Sequence, residues 1–76
     1  MIKITEIQLN SEYELANAMI LHKHFAYSLK DALVKSAKSP KIITHNPPLC
    51  IEIKTSLDEF IDFLDNYEIK IKIVNQ

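Results

Sequence analysis

The hydrophobic pattern changes period several times along the chain. Residues 2–9, "IKITEIQL", mix β-branched and polar positions in near alternation, which predicts a strand. The apolar phase slips between Ile4 and Ile7, which places a bulge near Thr5-Glu6. A helical period follows from about Glu12 to about His24. It opens at Ser11 with S-x-x-E, the pattern in which a hydroxyl and the Glu14 carboxylate satisfy the free amides of a helix start. Leu15, Ala18, Met19, His22, Phe25 and Ala26 share one face, Tyr13, Ala16 and Ile20 a second, and Leu21 a third. So wide an apolar arc predicts a helix held between two other elements.

The stretch "AYSLKDALVKSA" (residues 26–37) could continue that helix or begin another. One helix from Glu12 to Lys38 would run roughly 40 Å, against a radius of gyration near ~11 Å for a domain of this length. The chain must therefore break near Ala26-Tyr27. Ser28-Leu29-Lys30-Asp31 repeats the capping pattern, and Leu29, Ala32, Leu33 and Ser36/Ala37 make a new apolar stripe. Ser39-Pro40 ends it, because proline disfavours helix in the residue before it.

Ile42-Ile43 reads as a short extended piece and Asn46-Pro47-Pro48 as a rigid turn. Leu49 to Lys54 predicts a strand with Ile51 and Ile53 on one side and Glu52 and Lys54 on the other. Ser56-Leu57-Asp58-Glu59 caps a last helix, through about Asn66, with Leu57, Phe60, Ile61 and Leu64 at core spacing. "EIKIKIV" ends the pattern as a strand, with Ile69, Ile71 and Ile73 inward and Lys70 and Lys72 outward.

The reading is one α/β (α+β) domain over residues 1–76, β-α-α-β-α-β: a three-stranded, mainly antiparallel sheet with three helices on one face. A ferredoxin-like β-α-β-β-α-β arrangement is the alternative, if Ile42–His45 and Leu49–Lys54 pair as a hairpin, so residues 42–45 decide whether there is an extra strand.

Composition narrows the chemistry. With 76 residues there is room for one core, and a net charge of −1 gives no global attraction to nucleic acid or membrane. All nine basic residues are lysine, so the bidentate fork that reads guanine or phosphate is missing. With no glycine, a phosphate-cradling loop has none of the backbone it requires. Cys50 is the only cysteine, which excludes an internal disulfide and points to a reducing, cytoplasmic setting. No apolar run approaches a membrane span, and "MIKITEIQLN" is not a signal peptide.

No motif supplies a catalytic residue, a cofactor site or a metal centre. His22 and His24 are two apart and point away from each other on a helix. His45 and Cys50, flanking the Pro-Pro turn, give two soft ligands rather than four, and Cys50 reads as a small buried thiol. Two surfaces suit a protein partner. One is on the first two helices, with Lys23, His24, Tyr27 and Lys30. The other is the acidic stripe Asp58, Asp62 and Asp65 of the last helix, beside Glu59, Phe63 and Tyr67. The open sheet face should carry Lys3, Glu52, Lys54, Lys70 and Lys72, a phosphate-contacting surface without the aromatics that stack bases.

"LKDALVKSA" (Leu29–Ala37) resembles the core of the second helix in the C-terminal domain of the bacterial ribosomal stalk protein. "SLDEFIDFLDNYEIKIKIV" (Ser56–Val74) resembles that domain's final helix and strand. The resemblance implies the same element order over nearly the whole chain. Stalk proteins recruit translation GTPases with basic residues on the first two helices, and of these Lys30 carries over. Glu14 and Met19 stand where lysines are expected, and His22 or Lys23 where an arginine is. The Gly-rich entry to the second helix is replaced by "FAYS", and Lys41–Cys50 is longer than the family's connection.

The expected function is thus a small non-enzymatic interaction module, an adaptor or inhibitor that docks on a larger bacterial protein. A chain without the stalk protein's dimerising and hinge regions fits a phage or mobile-element accessory protein. The alternative is a weak nucleic-acid binder using the lysine-bearing sheet face.

Overall fold

A computed structural model describes residues 1–74. Its elements are β1 (Ile2–Gln8), α1 (Glu14–His24), α2 (Leu29–Ala37), β2 (Ile42–Ile51), α3 (Leu57–Asp65) and β3 (Lys70–Ile73). The strands form one antiparallel sheet in the order β2-β1-β3, and the helices lie over one face of it. The radius of gyration is 11.5 Å.

The bulge in β1 falls where the apolar phase slips, with the register shifting between Ile4 and Glu6 against both neighbours. That shift lets Ile4 and Ile7, three apart, both point inward, and both are fully buried. Ile4 lies opposite Leu49 and Ile73, and Ile7 opposite Ile43 and Ile71. These residues meet Leu21, Phe25, Phe60 and Leu64 from the helices to make the core. Each buried aliphatic side chain contributes roughly 1.5–3 kcal/mol.

β2 is longer than the pattern predicts. It starts at Ile42, runs through Asn46-Pro47-Pro48 and ends at Ile51. Four residues, 45–48, occupy the register gap opposite Thr5, because Thr44 pairs with Glu6 and Leu49 with Ile4. Two of the four are prolines, which have no amide hydrogen to give, so the gap suits them. Residues 42–44 and 49–51 both pair with β1 and do not fold back on each other as a hairpin. Glu52, Ile53 and Lys54 lie beyond the strand rather than in it.

Two helix starts follow the sequence pattern. Ser28 Oγ accepts from the Asp31 amide at 3.1 Å, and Ser56 Oγ from the Glu59 amide at 3.2 Å. The first does not. Tyr13 is the cap of α1 and makes no side-chain cap bond, and Ser11 is not involved. Instead Asn10 Oδ1 accepts from the amides of Glu12 and Tyr13, each at 2.8 Å, so α1 starts at Glu14.

The chain breaks after α1 as expected. Ala26 takes φ 60°, the Tyr27 amide reaches the Leu21 carbonyl, and α2 leaves on a new axis. α3 ends in a Schellman turn. The Ile69 amide donates to the Leu64 carbonyl and the Glu68 amide to that of Asp65, each at 3.0 Å, with Glu68 at φ 56°. No helix among the described residues is long and apolar enough to cross a membrane.

Candidate interaction surface

The helical side of the domain keeps much apolar surface in water. α1 buries Asn17, Ala18, Ile20 and Leu21, while Leu15 is 73 % exposed and Met19 54 %. The expected inward face of Leu15, Met19 and His22 is therefore turned outward. The cause is Asn17, which occupies the core position one turn from Leu21 and donates Nδ2 to the Asn10 carbonyl at 2.8 Å.

α2 behaves alike. It buries only Ala32 and Ser36, one turn apart, and lies against α1, whose own small residue Ala18 is buried. Small side chains let two helices approach closely. Leu29, Leu33 and Val34 consequently stay outside, at 54 %, 43 % and 44 % exposure, and the expected stripe of Leu29 and Leu33 is not core. Lys30 is exposed on the same helix. Lys41 fastens this pair: its Nζ bonds Glu14 of α1 at 2.9 Å and the Ser36 carbonyl of α2.

Between α1 and α3 runs a shallow trough. One end is lined by Glu12, Tyr13, Leu15 and Tyr67, and the middle by Ala16, Met19, Ile20 and Phe63. Lys23 and His24 lead to the far end, where Ile53, Lys54 and Glu59 stand. Its floor is aromatic: His24 lies 4.9 Å from Phe63, and Phe63 5.4 Å from Tyr67, ring centre to ring centre. Burial, and then the Lys23 charge, lower the His24 pKa from its ordinary value.

Tyr27 is half-buried and engaged within the fold. Its hydroxyl shares a 2.8 Å hydrogen bond with His45 Nε2 in an edge-on ring contact, and its carbonyl is bonded by His22 Nδ1 at 2.8 Å. Burial, then Asp31, raises the Tyr27 pKa; burial, then Lys35, lowers that of His45. The structure thus brings Lys23 and His24 together in the trough, leaves Lys30 apart on α2, and makes Tyr27 a fastening between the α1–α2 turn and β2.

On α3, Asp58, Asp62 and Asp65 are exposed, but Asp65 is held by Lys70 at 2.7 Å, so the stripe is shortened by one charge. The lysine face is thinner than expected. Lys3, Lys70 and Lys72 do lie on the outer side of the sheet, yet Lys72 is 3.6 Å from Glu6 and Lys70 serves Asp65. Lys54 and Glu52 are in the loop to α3. Cys50, opposite Lys3, is exposed rather than buried, because odd positions at that end of β2 face inward. No group of three or more metal-binding side chains occurs among the described residues.

Sequence reasoning missed the outward apolar residues Leu15, Met19, Leu29, Leu33 and Val34. The available signal was the small-residue pair Ala32 and Ser36, which marks the contact face of α2 by its size rather than its hydrophobicity. A scan of family models finds no match to this chain, and comparisons with curated proteins and with solved structures find none either.

Proposed function

We propose that the chain is a non-enzymatic protein-interaction module, an adaptor or inhibitor that docks on a larger bacterial protein of the cytoplasm through α2. The carrying observation is the apolar strip Leu29, Leu33 and Val34, half in water on a capped helix fixed at both ends. Exposed apolar side chains gathered on one helix face mark an interaction surface, and charge of one sign at the rim selects a partner of the other. Lys30, Lys35 and Lys38 outnumber Asp31 on this segment, so the partner surface is an apolar site rimmed by acids. Lys30 is also the one position that carries over from the ribosomal stalk domain, and the element order is the one that resemblance implies.

The test is affinity capture from bacterial lysate. Wild-type chain should retain a stoichiometric partner, and Lys30→Glu and Leu33→Asp should each reduce its recovery at least about tenfold, roughly 1.4 kcal/mol. Capture unchanged by both substitutions would remove α2 as the docking element.

A further inference from the structure

α1 carries a second exposed stripe whose charges are arranged for a particular partner. Leu15 and Met19 lie one turn apart on its outer face. Glu12 and Glu14 flank the start of α1, and His22, Lys23 and His24 occupy its last turn. Glu14 is already paired with Lys41, whereas among the described residues neither Glu12 nor Lys23 has an ion-pair partner. The free charges therefore sit at opposite ends of the apolar stripe, Lys23 one turn past Met19 and Glu12 just ahead of the first turn.

We propose that this surface is covered by a second copy of the chain, with the two α1 helices antiparallel about a twofold axis. Self-complementarity follows from the order of residues. A twofold axis between Leu15 and Met19 sets Leu15 of each copy against the partner's Met19, and Glu12 of each toward the partner's Lys23. A parallel pair would instead bring like charges together at both ends. Antiparallel helix dipoles add in the same sense, each positive N-terminus lying by a negative C-terminus.

The trough beside the stripe adds depth. Ala16 is a small residue next to Met19, and Phe63 and Tyr67 line the floor beyond it. Each copy's outer face thus offers both projecting side chains, Leu15 and Met19, and a recess beside them, as an isologous contact requires. A domain of this size also gains from pairing, since its single core is small. The self-pairing uses α1, and is independent of what α2 docks on.

Sedimentation equilibrium on the full chain, taken up to ~1 mM, reads the association directly. Wild type should pass from monomer to dimer, with a dissociation constant of about 1–100 μM. Met19→Glu should be monomeric throughout. Glu12→Lys and Lys23→Glu should each weaken the dimer about tenfold or more, since each turns two attractions into two repulsions. An equimolar mixture of Glu12→Lys and Lys23→Glu should recover a 1:1 dimer in native mass spectrometry, an outcome that misfolding of either variant cannot produce. A monomeric wild type at the highest concentration, or a dimer indifferent to all three substitutions, overturns the proposal. So does a mixture that forms no heterodimer.

Discussion

Asn17 donates its side-chain amide to the backbone carbonyl of Asn10 at 2.8 Å, seven residues upstream and out of water. Asn10 in turn accepts from two amides ahead of α1 and donates Nδ2 to the Tyr67 carbonyl at 2.7 Å. Two asparagines therefore join the end of β1, the start of α1 and the turn after α3. Asn10→Ala should destabilise the fold by about 2 kcal/mol, through the two amides ahead of α1 that lose their acceptor and the half-buried Tyr67 carbonyl that loses its donor. Ser11→Ala should stay within about 0.5 kcal/mol. Urea unfolding of the two variants decides which residue starts α1, and equal losses would restore Ser11 to that role.

The chain turns twice through positive φ without glycine. Glu68 sits at the C′ position of a Schellman turn at φ 56°, and Ala26 at φ 60° between α1 and α2. An L-residue with a Cβ is strained there by roughly 1 kcal/mol, which glycine relieves at some cost in unfolded-state entropy. Glu68→Gly should raise stability by about 0.5–1 kcal/mol, with Ala26→Gly doing the same and the pair adding. Thermal midpoints of the single and double variants measure this. A drop in both single variants would place the stability of these turns in side-chain contacts instead.

The faces of the last strand were legible because alternation is a local property: Ile69, Ile71 and Ile73 turn inward, and Lys70 and Lys72 outward, as their order requires, whereas the bounds of β2 depend on its pairing with β1 across the Pro-Pro segment. The caps at Ser28 and Ser56 were legible for the same reason, since donor and acceptor lie three residues apart. Ser11 offers the same local pattern but loses to Asn10, whose amide is held by Tyr67, 57 residues away. No window on the sequence contains that partner. The faces of α1 and α2 were lost similarly. Asn17 enters the core because the Asn10 carbonyl awaits it, and Ala32 and Ser36 are chosen by closeness of approach, which leaves the larger Leu29 and Leu33 outside. Lys23, His24 and Lys30 lie exposed on the helices, while the apolar positions between them depended on those long-range choices.

His45 and His24 make stability depend on pH in one direction. Burial lowers both pKa values from 6.5, with Lys35 adding to the effect at His45 and Lys23 at His24. The unfolded chain therefore binds protons first as pH falls. Stability is full above about pH 6.5 and declines below it until each folded-state pKa is passed. The Tyr27 hydroxyl shares a 2.8 Å hydrogen bond with His45 Nε2, which holds the imidazole in its half-buried place. Unfolding midpoints should thus drop between about pH 7 and pH 5. Lys35→Gln should move the His45 titration, followed by NMR, back toward its ordinary value. A midpoint that rises on acidification, or a His45 titration unmoved in Lys35→Gln, would contradict this arrangement.

The outer face of the sheet gives the last prediction, because it carries the competing reading. Lys70 is committed to Asp65 and Lys72 to Glu6, which leaves Lys3 without an ion-pair partner among the described lysines of this face. Surface pairs of this kind are worth at most about 1 kcal/mol, so a polyanion could still compete for the lysines. It would also meet Glu6 on the same face, and no aromatic ring there can stack a base. With three lysines at most, the salt dependence of single-strand binding should have a log–log slope no steeper than about −2. Fluorescence anisotropy with random single-stranded DNA and RNA across a salt series should accordingly give weak association that vanishes by about 0.15 M salt. Lys3→Glu and Lys72→Glu should abolish what remains. A steeper slope, or saturable binding that survives at that ionic strength, would move the function from the helices to the sheet.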